Sequence, residues 1–223
     1  MRPSLRVAAT LAAAAALVTG CGSGDDWSQP HPKPSAVGNL GPGFIDPAAP
    51  PAPEATATPR PGSWDGVHPS KGYRVALLTA GSDRPTRTLV KAVEEWAGAE
   101  HVDLRKVVAD GPSDLLPSIT KALEMGPDLI VSAGNDLIDP LATVTPSHLS
   151  QQFLVVGAEL AEPTHNVTAV DWSGASFRGE GLGASSTYDP ASFTPVRSAA
   201  SIRAGVAAVL NDLTGIVIWL DTV

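Results

Sequence analysis

Residues 73–80 read YRVALLTA, a short apolar run without the polar–apolar alternation of a strand that faces water on one side. Three later segments have the same character: 128–133 (DLIVSA), 153–158 (FLVVGA) and 215–220 (GIVIWL). Near-continuous Val, Ile and Leu are typical of strands that are covered on both faces, as in a parallel sheet between helices. The four segments therefore predict four buried strands of one sheet.

Two more polar segments, 102–109 (VDLRKVVA) and 166–172 (NVTAVDW), predict further strands at or near a sheet edge. Apolar residues at helical spacing fall between the strands and predict helices over about 89–97, 113–125 and 198–212. Residues 136–150 contain two prolines, which allow only broken turns there. This alternation predicts an α/β fold with a single doubly wound, mostly parallel sheet, as in Rossmann-like proteins.

The prolines and glycines are concentrated ahead of this pattern. Of the 21 prolines among the 223 residues, 11 lie in residues 22–70, where no apolar periodicity is sustained. We predict a disordered Pro/Gly-rich tether over residues 21–70, in which Trp27, Phe44 and Trp64 are alternative docking points. Residues 71–223 then form the α/β domain, about 150 residues long, which suffices for one core and is too short for two.

Residues 1–20 are organised as a secretory signal peptide, because two arginines precede an apolar run that is short for a membrane span. The run ends in LVTGC at residues 17–21, which resembles the lipobox of bacterial lipoproteins. That resemblance implies cleavage before Cys21, acylation of its sulfur and anchoring at the extracytoplasmic face of the cell membrane. The alternative is an ordinary signal peptide followed by a chance cysteine.

Composition excludes several classes of protein. A single cysteine excludes an intrachain disulfide framework and a Cys-rich metal site. The net charge of −8 argues against nucleic-acid binding, and it would repel the chain from an anionic bilayer, so the predicted anchor is the lipid. No G-x-S-x-G, phosphate-binding loop or HExxH motif is present, and we predict a non-enzyme without cofactor or metal. A carboxylate pair for glycoside hydrolysis is the weaker alternative.

Polar residues follow the predicted strands, at the sheet edge where doubly wound folds bind ligands. The candidate ligand-binding residues are Ser82, Asp83, Asn135, Asp136, Glu159, Asp171 and Trp172. Carboxylates accept hydrogen bonds from hydroxyls or amines, and Trp172 would offer a ring face for stacking. The alternative for Ser82, Asn135 and Asp136 is that they cap helices or close turns.

The lipobox, the Pro-rich tether and the strand segments 73–78, 127–134, 152–157 and 166–170 together resemble the basic membrane protein family. Its members are solute-binding lipoproteins of ABC importers with the type I periplasmic-binding fold, and characterised members bind nucleosides. The resemblance covers residues 73–182. It implies a lipid-anchored binding protein with a nucleoside-like solute and an ABC permease, or another envelope protein, as partner.

Two features depart from that family. Its first strand leads into a turn with an acid, an aromatic residue and an Asn, whereas residues 81–84 here contain Asp83 and no aromatic residue. Only about 50 residues follow Trp172, so we expect one lobe of a two-lobed fold. A homodimer could complete the cleft, or the rim could dock a protein. The second functional hypothesis is therefore a cell-envelope interaction or structural lipoprotein without a small ligand.

Overall fold

A computed structural model describes residues 27–160, 163–175 and 187–223 of the chain. The predicted signal peptide, residues 1–20, and the predicted lipidation site, Cys21, lie outside the described residues. In the described ranges, none of the helices combines the length and the hydrophobicity that a membrane crossing requires.

The strands are β1 (Ala36–Gly38), β2 (Thr56–Ala57), β3 (Val67–Pro69), β4 (Arg74–Ala80), β5 (Asp103–Ala109), β6 (Leu129–Ala133), β7 (Gln152–Val156), β8 (Val167–Asp171) and β9 (Val217–Trp219). Over the described residues, seven of them form one sheet in the order β2-β9-β8-β7-β6-β4-β5, and all its pairings are parallel. β1 and β3 pair separately and antiparallel. The predicted doubly wound α/β fold is confirmed.

The helices are α1 (Arg84–Ala99), α2 (Leu115–Glu124), α3 (Ile138–Val144) and α4 (Pro195–Leu210). α1 and α4 cover one face of the sheet, and α2 and α3 cover the other. The side chains of β4 show this directly, because Val75 and Leu77 pack on the first face and Ala76 and Leu78 on the second. All four side chains are fully buried, as the unbroken apolar run of this strand predicts.

The connections that leave β4 create a switch point in the topology. The chain runs from β4 through α1 to β5 on one side, and then through α2 to β6 on the other side of β4. Because these connections diverge, a crevice forms beyond the carboxyl ends of β4 and β6. This is the position at which open parallel sheets bind ligands.

The prediction of a disordered tether is wrong for residues 27–70. β2 pairs with β9 and forms an edge of the main sheet, and both Phe44 and Trp64 are 2% exposed and belong to the same core cluster as α1 and α4. A Pro-rich segment lacks the periodicity of a helix or strand, so it cannot form a core alone. It can still fold onto a sheet that other residues have built, and its aromatic side chains contribute large buried areas there.

Trp27 fixes the beginning of this segment to the amino ends of the strands. Its ring is 5% exposed, its indole N–H donates to Asp103 Oδ2 at 2.6 Å, and the guanidinium of Arg105 lies 4.3 Å from the ring centroid. His31 Nε2 lies 2.8 Å from both carboxylate oxygens of Asp128, the residue just before β6. The beginning of the segment is therefore held at the amino ends of the strands, at the opposite end of the sheet from the switch-point crevice.

Candidate functional site

A cleft of about 650 Å³ opens at the carboxyl ends of β4, β5 and β6, at the switch point. It is lined by residues 80–82 after β4, residues 108–112 and Leu115 around the end of β5, and Asn135, Asp136 and Asp139 after β6. These residues come from three loops that are far apart in the sequence. The parallel sheet brings them together because its strands end at one edge.

The lining of the cleft combines acidic and apolar side chains. Asp110, Asp136 and Asp139 contribute carboxylates, and none of the lining residues is a Lys, Arg or His. Val108, which is 49% exposed, and Leu115 supply apolar surface. Such a lining fits a ligand with hydroxyl or amine donors and an apolar face, and it disfavours an anion. Within the described ranges, no group of three His, Cys, Asp or Glu side chains could hold a metal ion.

Asp83 has a structural role at the edge of this cleft. Its Oδ1 accepts from the backbone N–H of Thr86 at 3.0 Å and its Oδ2 accepts from the Thr86 hydroxyl at 2.7 Å, so it caps α1. The preceding turn brings Gly81 between two carboxylates, since a Cβ there would lie 3.5 Å from Asp83 Oδ2 and 3.6 Å from Asp136 Oδ2. The φ of Gly81 is +77°, which a side chain would strain.

A smaller recess of about 160 Å³ adjoins the cleft and contains an aromatic residue that the sequence reasoning missed. Tyr188 and Phe193 line this recess with Asp83, Asn135 and Asp136. The Tyr188 side chain is 44% exposed, and its ring centroid lies 6.0 Å from that of Phe193. Burial and the charge of Asp83 raise the pKa of Tyr188 above its ordinary value. The only sequence signal was a short aromatic-containing segment just before a predicted helix.

The structure thus places Ser82, Asp83, Asn135 and Asp136 around one site, but it does not bring the other candidates there. Trp172 is fully buried, so the prediction that it offers a stacking face is wrong. Asp171 is 4% exposed and Glu159 is 2% exposed, and both lie inside the protein and not on the rim.

Phe193 explains why Trp172 is covered. Its ring meets that of Trp172 edge to face at 5.0 Å, and a Cβ on Gly157 would lie 2.6 Å from its Cε1. Phe193 therefore lies directly over the residue that follows β7. The Trp172 indole N–H donates to Ser192 Oγ at 3.0 Å, which fixes the covering segment.

Asp221 ties the end of the chain to the loop after β8. Its Oδ1 accepts from the backbone N–H of Ser173 at 2.7 Å. Although partial burial acts to raise it, the pKa of Asp221 is lowered by hydrogen bonds from Ser173 and Trp219 and by the charge of Arg197. A carboxyl with a lowered pKa stabilises the fold above the pKa of the unfolded chain, and this stabilisation is lost as pH falls through the folded value.

We expect Asp221→Asn to lower the urea midpoint at pH 7, with the difference from wild type shrinking as pH falls below about 4. Urea unfolding measured across this pH range checks the expectation. Glu124→Gln, at an exposed position on α2, is the matched control and should leave the pH profile unchanged. Parallel pH profiles for wild type and Asp221→Asn would contradict it.

Comparisons with known proteins give no family assignment. No protein-family model and no curated protein matches the chain. These two comparisons therefore lend no support to membership of the basic membrane protein family.

Several solved structures are similar to part of the chain. An ABC transporter solute-binding protein from Aeropyrum pernix K1 is 20% identical, with 45% of this chain and 29% of that chain covered and a TM-score of 0.41. One from Conexibacter woesei is 21% identical, with 45% and 35% covered and a TM-score of 0.38. A provisionally identified lipoprotein fragment from Peptoclostridium difficile 630 is 17% identical, with 63% and 99% covered and a TM-score of 0.44. The chain thus spans about a third of the two solute-binding proteins.

Proposed function

We propose that the protein is a lipid-anchored, extracytoplasmic binding protein that takes a small solute in the carboxyl-edge cleft and performs no chemistry on it. The observation that supports this most directly is the position of the cleft, at the switch point of a parallel sheet. Its volume of about 650 Å³ is in the range of small-molecule sites.

The side chains of the cleft and of its adjoining recess favour a nucleoside-like solute. Asp136 can accept hydrogen bonds from hydroxyls, and the Asn135 amide can both donate and accept. The half-exposed ring of Tyr188 offers an apolar face to a planar base. This arrangement supplies an aromatic residue where residues 81–84 lack one, and it agrees with the ligand class that the sequence resemblance implies.

The lipid anchor would fix the direction in which the cleft faces. Cys21 precedes Trp27 by six residues, and an extended chain spans at most about 3.5 Å per residue, so the anchor lies within about 21 Å of Trp27. Trp27 is bound to the amino ends of the strands. The amino edge of the sheet therefore faces the bilayer, and the cleft opens away from it, toward incoming solute.

A role in protein docking without a small ligand is the second candidate. Two large apolar side chains beside the cleft are about half exposed, Val108 at 49% and Leu116 at 51%. They would suit a protein surface that closes the open side of the cleft, such as an ABC permease, another envelope protein or a second copy of this chain. In this case the purified protein alone binds no solute.

Membrane fractionation of the Cys21→Ser variant tests the lipid anchor. This substitution should release the protein from the membrane fraction, and retention there would contradict the lipid anchor.

Calorimetric titration of the full chain carrying Cys21→Ser tests solute binding. We expect saturable binding of a nucleoside from a panel that also contains amino acids, with affinity at least about tenfold weaker in Asp136→Ala. Asp65→Ala, at an exposed position that pairs with Arg203, is the control. A folded protein that binds no member of the panel would exclude solute binding.

A further inference from the structure

Residues 27–34, which we call the strap, lie between the proposed anchor at Cys21 and the folded domain. Within the strap only the Trp27 side chain is buried, and the other residues are exposed or half-buried. Continuous packing begins further along the chain, where β1 pairs with β3 and where Leu40 and Phe44 join the core. The strap therefore lies against the sheet without forming a layer of its core.

Polar contacts to the first residues of neighbouring strands hold the strap in place. The Arg74 guanidinium, at the start of β4, donates to the backbone carbonyls of Trp27 and Gln29, at 3.0 Å each. The Trp27 indole N–H donates to the carboxylate of Asp103, at the start of β5. These contacts fix the beginning of the strap.

A separate contact fixes its middle. His31 Nε2 lies 2.8 Å from both carboxylate oxygens of Asp128, the residue just before β6. The residues around His31 include Pro30, Pro32 and Pro34, which carry no N–H, so the backbone here cannot extend the contact into a hydrogen-bonded ladder. His31 is thus a single point of attachment.

The strap should open far more easily than the sheet. Segments with few buried apolar contacts and an exposed backbone open locally, at a smaller free energy than global unfolding requires. β4, by contrast, is paired with a strand on each side, and its central side chains are fully buried. Opening of the strap exposes one indole ring and separates no strand from the main sheet.

We propose that the strap is a releasable part of the tether, which opens as a unit while the sheet stays folded. Opening moves the first fixed residue of the chain from Trp27 to Ser35, whose backbone N–H donates to Ser70 Oγ at 3.0 Å. An extended chain spans at most about 3.5 Å per residue, so the maximum reach from Cys21 grows from about 21 Å to about 49 Å.

This device would connect solute capture to delivery, a consequence that rests on the proposed lipid anchor and solute cleft. With the strap closed, the amino edge of the sheet is held toward the bilayer, and the cleft at the carboxyl edge opens away from it. A partner within the membrane, such as a permease, then lies on the wrong side of the domain. With the strap open, the domain can turn and present the cleft to that partner.

Hydrogen exchange in full-length Cys21→Ser protein measures the opening itself, without the anchor. ¹⁵N labelling gives one NMR signal for the Trp27 indole, assigned from Trp27→Phe, and one for the backbone amide of Leu77 in β4. After correction for intrinsic exchange rates, the protection of Trp27 should be at least about a hundredfold lower than that of Leu77. Equal protection of the two groups would overturn the proposal, because the strap would then open only when the whole domain unfolds.

A substitution in the core separates local from global opening. Ile119→Val, at a fully buried position on α2, destabilises the strap-closed and strap-open states equally, since both contain the folded core. It should therefore lower the protection of Leu77 about threefold or more and leave that of Trp27 unchanged. An equal fall in the protection of both groups would contradict local opening.

A substitution in the strap should behave differently. His31→Ala destabilises only the strap-closed state, from which both groups exchange, so it should lower the protection of Trp27 and Leu77 by the same factor of about ten. Lys33→Ala, at an exposed position of the strap, is the matched control and should leave both unchanged. Unchanged protection of Trp27 in His31→Ala would contradict the role of His31 as an attachment point.

Neutron reflectometry of the lipidated protein on a phosphatidylcholine bilayer tests the gain in reach. The double variant Trp27→Ala with His31→Ala, in which the strap is open, should give a protein layer that is broader and extends up to about 28 Å further from the bilayer than wild type. A layer of unchanged thickness would refute the gain in reach, and a wild-type protein that does not bind the bilayer would refute the anchor. Neither result alters the exchange measurements, so the failure of the anchor and the failure of the strap are distinguishable.

Discussion

A chain that begins at residue 71 is expected not to fold, even though all the strongly patterned sequence lies after that point. Removal of residues 22–70 eliminates β2, which pairs with β9, and the buried side chains of Phe44 and Trp64. Loss of a large buried aromatic side chain costs about 3–5 kcal/mol, and a whole domain is stable by only about 5–15 kcal/mol. We therefore expect the combined loss of free energy of unfolding to exceed the stability of the domain.

Circular dichroism and urea unfolding of two chains, one beginning at Gly22 and one at Lys71, measure this effect. The longer chain should unfold cooperatively, and the shorter one should show no cooperative transition. Trp64→Ala in the longer chain is the graded control, with an expected loss of about 3–5 kcal/mol. A cooperative transition of equal midpoint in both chains would show that residues 27–70 add no stability and act only as a tether.

Gly205→Val is expected to destabilise the protein by about 3 kcal/mol or more, because α4 lies too close to the sheet for a side chain at this position. A Cβ on Gly205 would lie 2.5 Å from Leu154 Cδ1 and 2.8 Å from Val170 Cγ2. Both of these neighbours are fully buried on central strands, so neither can move aside without disturbing the core.

Gly98→Ala provides a control of opposite sign. Gly98 lies near the end of α1, and an added Cβ there would meet nothing within 4 Å. Replacing a helical glycine that has free space stabilises a protein by about 0.5–1 kcal/mol. Urea unfolding of both variants checks the pair. A Gly205→Val midpoint close to wild type would show that α4 and the sheet are less tightly packed than the structure indicates.

The centre of the sheet could be predicted from the sequence because β4, β6 and β7 are buried on both faces. A strand buried in this way must consist mainly of consecutive apolar residues, and a run such as residues 75–78 is recognisable without knowledge of its neighbours. The broken turns predicted over residues 136–150 are also present, as the short α3 between two 3₁₀ turns, Asn135–Leu137 and Thr145–Ser147.

Residues 27–70 could not be placed in the same way. Trp27, Phe44 and Trp64 are isolated aromatic residues in a Pro- and Gly-rich segment, so no periodicity marks them as core residues. Their burial depends on a surface formed by later residues. Trp27, for example, packs against Asp103 and Arg105 of β5.

The candidate site was predictable only in part for a related reason. A position after a strand indicates which edge of the sheet a residue occupies, and this placed Ser82, Asn135 and Asp136 together. It does not reveal whether a later segment covers that residue, as Phe193 covers Trp172. Tyr188 enters the site from a segment more than 100 residues after Asp83, and no local pattern connects the two.

Solute binding at the carboxyl-edge cleft is tested by NMR on Cys21→Ser protein labelled with ¹³C at the tyrosine ζ-carbon, with the Tyr188 signal assigned from Tyr188→Phe. This signal is followed during titration with adenosine, guanosine, inosine and uridine. We predict a saturable shift for at least one nucleoside, with the response lost in Asp136→Ala. A folded protein in which none of the four moves the Tyr188 signal would contradict nucleoside binding at this site.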